Sequence, residues 1–151
     1  MDQPIRFKQI LLLTGDLASA YLALAITLYL RYGAFSNEVV RWHWWPFTGT
    51  FLMWLVIFYI GNLYELRHLK NGVDFLKQWS VVLAVAFLLA LMLFYFVPGI
   101  IITPKTNLFL VIFIFGLLNY FWRTSYNNLL SSGAPANRIL LIGSNQTAQA
   151  L

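Results

Sequence analysis

The chain has 151 residues, 60% of them hydrophobic and only 10% charged, with a mean hydropathy of +0.71 and a net charge of +5. Soluble domains carry about 25% charged residues, so the chain lacks the polar surface to cover a water-soluble core and reads as an integral membrane protein. Cysteine is absent, which excludes disulfides, thiolate catalysis and cysteine metal sites, and the ten cations lie dispersed between apolar stretches, not in a patch for nucleic acid.

Residues 1–9 form a weakly basic start, with Arg6 and Lys8 against Asp2. The apolar run at 10–13 is interrupted by Thr14-Gly15-Asp16, so a cleaved signal peptide is not expected. Hydrophobicity then resumes, and residues 10–30 are long enough to cross a hydrocarbon core of ~30 Å at helical rise. Residues 31–41 read as a polar loop. Trp42-His43-Trp44-Trp45-Pro46-Phe47 follows, an aromatic cluster suited to the headgroup boundary, where indole rings satisfy an apolar body and an N–H donor together.

The second span is expected over 47–63. From Tyr64 to Trp79 the pattern is amphipathic, with Leu66, Leu69, Val73 and Leu76 on one face and Lys70, Asp74 and Lys77 on another. That spacing suits a helix lying in the headgroup layer, broken at Asn71-Gly72, with a plain solvated connector as the equal alternative. Arg67, Lys70, Lys77 and Trp79 are accordingly candidate membrane-surface contacts. The third span is expected over 81–97, ended by Pro98-Gly99. Thr103-Pro104 has the chemistry of a helix start, and a fourth helix runs from Pro104 to about Leu130 with its span at 107–123. Gly133 and Pro135 stop it.

Residues 1–133 are thus a four-helix transmembrane anchor, and 134–151 a linker and the start of something else. Arg138-Ile139-Leu140-Leu141-Ile142-Gly143 is a short apolar run ending on glycine, as a parallel strand buried on both faces is. The turn and helix start after it would open a βαβ unit. The expected fold is therefore an all-α membrane protein followed by the first strand and turn of a truncated α/β Rossmann-like domain. Gly143 and Ala148 fill the first and third places of a dinucleotide fingerprint, but Asn145 stands where the second glycine would let backbone approach a pyrophosphate. With the N-terminus in the cytoplasm, Arg6, Lys8, Arg67, Lys70, Lys77, Arg123 and Arg138 are inside and Arg31, Arg41 and Lys105 outside. The positive-inside rule then puts both termini in the cytoplasm.

Asp16 is the ionisable residue inside a span, and such a residue needs a partner or water. Asn119, Arg123 and Asn127, spaced by four, make one polar stripe on the fourth helix. Antiparallel helices bring Asp16, Asn62, Asn119 and Arg123 to one level in the inner leaflet. The cluster is expected to be interhelical polar glue, with a site for an anionic lipid phosphate as the sharper alternative. As glue, Asp16→Asn is expected to be mild and Asp16→Leu destabilising. No catalytic, cofactor-binding or metal-ligating residue is expected in the chain.

Gly15-Asp16 with Leu30-Arg31-Tyr32-Gly33, Tyr64-Glu65-Leu66-Arg67, Thr103-Pro104-Lys105-Thr106-Asn107 and Asn137 to Gly143 together resemble the N-terminal membrane region of bacterial polyprenyl-phosphate hexose-1-phosphate transferases. The resemblance runs over the whole chain through short motifs. It implies a parent enzyme of the bacterial inner membrane that moves a sugar-1-phosphate from a nucleotide sugar to polyprenyl (undecaprenyl) phosphate, initiating exopolysaccharide, capsule or O-antigen. It also implies a catalytic domain, dependent on magnesium, that is not in this chain. The membrane anchor of an NAD-dependent nucleotide-sugar dehydratase or epimerase has the same opening, and a stand-alone, non-catalytic four-helix membrane protein is the third reading. The expected partners are the lipid bilayer and polyprenyl phosphate, with a homo-oligomer as a further candidate and no nucleic acid.

Overall fold

The computed structural model describes residues 3–33, 36–65, 72–97 and 104–132. Four helices account for them: α1 Gln3–Tyr32, α2 Asn37–Ile60, α3 Val73–Phe96 and α4 Pro104–Ser132. No strand occurs among the described residues, and the strand expected at 138–143 lies outside them.

Each helix runs antiparallel to the next. Tyr21 meets Thr48 and Phe51 across α1 and α2; Trp54 donates its indole N–H to the Ala86 carbonyl across α2 and α3, at 3.0 Å. Phe87 packs on Phe109 across α3 and α4, and α4 returns to α1 to form the most extensive interface of the bundle. Along that interface Lys8 meets Tyr126, Asp16 meets Arg123 and Arg31 meets Asn107. The start of α1 and the close of α4 therefore share one end of the bundle, called here the terminal end. Tyr32, His43 and Asn107 gather at the far end.

The sequence dictates which faces meet. Phe47, Phe51, Trp54 and Phe58 recur every three or four residues on α2 and are all buried. On α3 the small Ala86 and Ala90 lie fully buried, which lets the α2 aromatics approach its backbone. Gly61 serves the same purpose, since a Cβ there would meet Val82 of α3. Gly15 makes room for Trp122, whose indole occupies the position of its missing side chain. The lipid-facing surface is correspondingly apolar: Leu30, Trp45, Ile60, Phe96, Phe113 and Phe121 are all more than 60% exposed.

Among the described residues, three helical stretches are long and apolar enough to cross a membrane: Phe7–Tyr32, Val73–Phe96 and Thr106–Leu129. The span expected at 47–63 belongs to α2, as long as α3, but His43, Pro46, Thr48 and Thr50 dilute its first half and it falls outside the three.

Several expected boundaries change. Ser36 caps α2 by accepting the Val39 N–H, so helix begins before the aromatic cluster and Trp42 to Phe47 are helical. Of the polar loop expected at 31–41, Arg31 and Tyr32 belong to α1, which Gly33 ends with a φ of +70°, and residues 37–41 belong to α2. Gly72 adopts an extended conformation at the start of α3, and helix then runs unbroken from Val73. Residues 73–79 are thus the first turns of a spanning helix, with Phe75 buried, and not a separate surface helix.

Candidate functional site

The polar side chains buried toward the terminal end converge on Asp16, which is 1% exposed. Three donors reach its carboxylate. Tyr64 donates its hydroxyl to Oδ2 at 2.8 Å, Asn119 its amide to Oδ1 at 2.8 Å, and Arg123 pairs with Oδ2 through Nη2. The other Arg123 terminal nitrogen, Nη1, donates to the Leu63 carbonyl at 2.8 Å. The guanidinium lies 5.2 Å from the ring centres of both Phe58 and Tyr64, within cation–π range. Asn119 Oδ1 in turn accepts the Trp79 indole N–H at 3.0 Å. All four helices are drawn in, because Tyr64 and Leu63 belong to the turn leaving α2.

The spacing explains how the residues meet. Gly15 and Asp16 face Trp122 and Arg123, two consecutive positions against two, so the same register that seats the indole aligns the ion pair. Asn119 and Arg123 are one turn apart and reach opposite oxygens of the same carboxylate. An uncompensated charge at this depth costs ~2.5–3.5 kcal/mol even on the lenient insertion scale. Pairing cancels the net charge, and the hydrogen bonds replace part of the lost hydration, with Arg123 Nε left buried and without a partner among the described residues.

Asp16, Asn119 and Arg123 therefore come together as expected, and Asn62 does not join them. Asn62 is exposed with φ of +56°. Its N–H bonds to the Tyr59 carbonyl and the Leu63 N–H to the Phe58 carbonyl, the paired pattern that terminates a helix through one left-handed residue. It is the helix stop that delivers Leu63 and Tyr64 to the cluster. Trp79, expected at the membrane surface, is half-buried and turned inward onto Asn119. Lys77 is exposed, while Arg67 and Lys70 lie outside the described residues. Arg123 also leaves the tally of topology-setting cations, being fully buried and paired, without changing its sign.

A second cluster at the far end went unread in the sequence. Asn107, fully buried, accepts from Arg31 Nη1 on Oδ1 at 2.6 Å. Its Nδ2 faces the Tyr32 hydroxyl at 3.3 Å and His43 Nε2 at 2.8 Å. His43 Nδ1 lies 2.7 Å from the Val39 carbonyl. The available signal was helical phase: His43 is four residues before Phe47, on the buried face of α2.

Asp16 has its oxygens occupied by donors and no water-accessible face, so it is placed neither to take a proton from a substrate nor to ligate a metal. No group of three or more His, Asp or Glu residues able to hold a metal occurs among the described residues. The Asp16–Arg123 geometry joins helices: the α1 carboxylate is bonded to two side chains of α4 and to one from the turn after α2.

No protein-family model, no curated protein and no solved structure matches this chain.

Proposed function

We propose that the chain is the membrane anchor of a polyprenyl-phosphate sugar-1-phosphate transferase, a bundle that holds a cytoplasmic domain against the inner leaflet. One observation supports this reading above others. The motifs that carry the resemblance are scattered along the sequence, yet they pair in space: Gly15-Asp16 with Tyr64 at one end, and Arg31-Tyr32 with Asn107 at the other. Residues suited to an anchoring role are those that fix helix against helix, and these do so. The dispersed cations orient the terminal end to the cytoplasm, with α2 as the fourth span over 47–63. Residues 134–151 then lead to a Rossmann-like domain on the side where nucleotide sugars are found. In this reading the anchor contributes no catalytic residue, and magnesium belongs to the catalytic domain.

The test is made in membranes carrying the whole gene product, supplied with nucleotide sugars, magnesium and polyprenyl phosphate. Polyprenyl-diphosphate-linked sugar with release of nucleoside monophosphate is the expected product. NAD-dependent loss of water from the nucleotide sugar would assign the dehydratase anchor instead, and neither product would leave a non-catalytic bundle. Reporter fusions at Asn37, Asn71, Thr103 and Gly133 test the orientation separately; a translocated reporter at Asn71 or Gly133 would overturn it.

A further inference from the structure

Proton positions at the far-end cluster follow from its chemistry. Arg31 is a pure donor, so the Asn107 atom facing it at 2.6 Å is the carbonyl oxygen. That fixes the amide, and Nδ2 with its hydrogens faces His43 Nε2 at 2.8 Å. Nε2 must therefore accept. On the other side of the ring, Nδ1 is 2.7 Å from the Val39 carbonyl, which can only accept, so Nδ1 carries the proton. His43 is thus a neutral imidazole whose tautomer is set from both sides. An added proton would sit on Nε2 and point at an N–H donor. Flipping Asn107 would not relieve this, because its amide would then face the Arg31 guanidinium.

We propose that this arrangement is a proton-sensitive clasp, in which neutral His43 ties α2 to α4 at the far end and protonation of Nε2 releases the tie. The groups facing His43 are few. From α1 come the Tyr32 ring, 5.8 Å away, and the Arg31 charge relayed through Asn107. From α4 comes Asn107, and from α2 itself the Val39 carbonyl and the Phe47 ring. Among the described residues no carboxylate acts on the imidazole; burial outweighs the opposing hydrogen bond to Val39 and, with the Arg31 charge added, holds it below its ordinary value of 6.5. A group with a depressed folded-state value contributes stability above pH 6.5 and loses it as pH falls toward that value. On the orientation given above, the far end faces away from the cytoplasm; the clasp itself rests only on the hydrogen-bond geometry.

The chain has two histidines and no cysteine, which makes the test direct. The 151-residue chain labelled with 15N-histidine, in phospholipid nanodiscs, should show His43 protonated on Nδ1 alone at pH 7, with a titration midpoint below 6.5. Spin labels at Trp45→Cys and Phe109→Cys should report a longer, broader distance at pH 5 than at pH 8. With His43→Gln, whose amide oxygen can accept from Asn107 without titrating, the distance should be the same at both. Asn107→Asp places an acceptor beside Nε2 and should raise the midpoint by about 1 to 3 units, as an opposite charge does at this range. A proton on Nε2 at pH 7, or a distance that moves equally in wild type and His43→Gln, would overturn the clasp.

Discussion

Asn119 accepts the Trp79 indole proton on its amide oxygen and gives its own amide proton to Asp16, so one side chain joins α3 to α1 through α4. Replacing it by leucine strands a buried N–H on one side and a carboxylate oxygen on the other. The loss should be about 1–3 kcal/mol, the usual penalty for an unsatisfied buried polar group. Trp79→Phe removes only the first bond and should cost about 0.5–1.5 kcal/mol. Unfolding in mild detergent, followed by circular dichroism, measures both, and equal costs would mean that Asn119 is not the common node.

At Asp16 the geometry revises an expectation. The substitution Asp16→Asn looked mild from sequence, because it keeps shape and hydrogen bonding. Three donors converge on the carboxylate, however, and an amide would turn an N–H toward one of them and leave Arg123 charged and uncompensated. Breaking a buried pair from one side costs about 3–5 kcal/mol, so Asp16→Asn and Asp16→Leu should both be strongly destabilising. The double change Asp16→Leu with Arg123→Leu should cost well below the sum of the singles, since removing both partners removes the unpaired charge. Additivity in that cycle would contradict the pairing.

Gly15 offers a steric test independent of charge. A Cβ at this position would overlap the Trp122 indole. Gly15→Ala should therefore destabilise the bundle by about 1–3 kcal/mol, as overpacking does, although alanine is the better helix former. Trp122→Leu in the same chain should recover part of the loss. If Gly15→Ala were stabilising, α1 and α4 would not approach as closely as described.

Asn62 separates backbone from side-chain roles. Its φ of +56° suits glycine as well as asparagine, so Asn62→Gly should be close to neutral. Asn62→Leu should cost about 1–2 kcal/mol, the penalty of a left-handed residue with an ordinary side chain. A polar side chain needed by the cluster would make both variants equally damaging.

These residues also show what the sequence could and could not disclose. The existence of four helices was legible because apolar runs and the breaks at Gly33, Pro98 and Pro104 are strong local signals, but the starts of α1, α2 and α3 lie seven to ten residues earlier than the apolar runs suggest. The meeting of Asp16 with Asn119 and Arg123 was legible because depth in a membrane is one-dimensional, and antiparallel helices align residues by counting. What counting cannot supply is rotation about each helix axis. Trp79 and His43 were therefore read as boundary aromatics, when their phase turns them inward. Asn62 stood at the expected depth, but its backbone conformation, invisible in composition, took it out of the cluster.

The ion pair joins residues 107 positions apart, on α1 and α4. During synthesis at about 5–20 residues per second, Asp16 therefore waits roughly 5–20 s before Arg123 exists. Through that interval α1 carries an uncompensated carboxylate, which favours its remaining beside the insertion machinery or near water over settling in lipid. Closure of the four helices, and with it the final burial of Asp16, therefore waits for α4. A ribosome stalled before Arg123 emerges should hold α1 accessible to water-borne thiol reagents at Leu17→Cys, and release past that point should protect it.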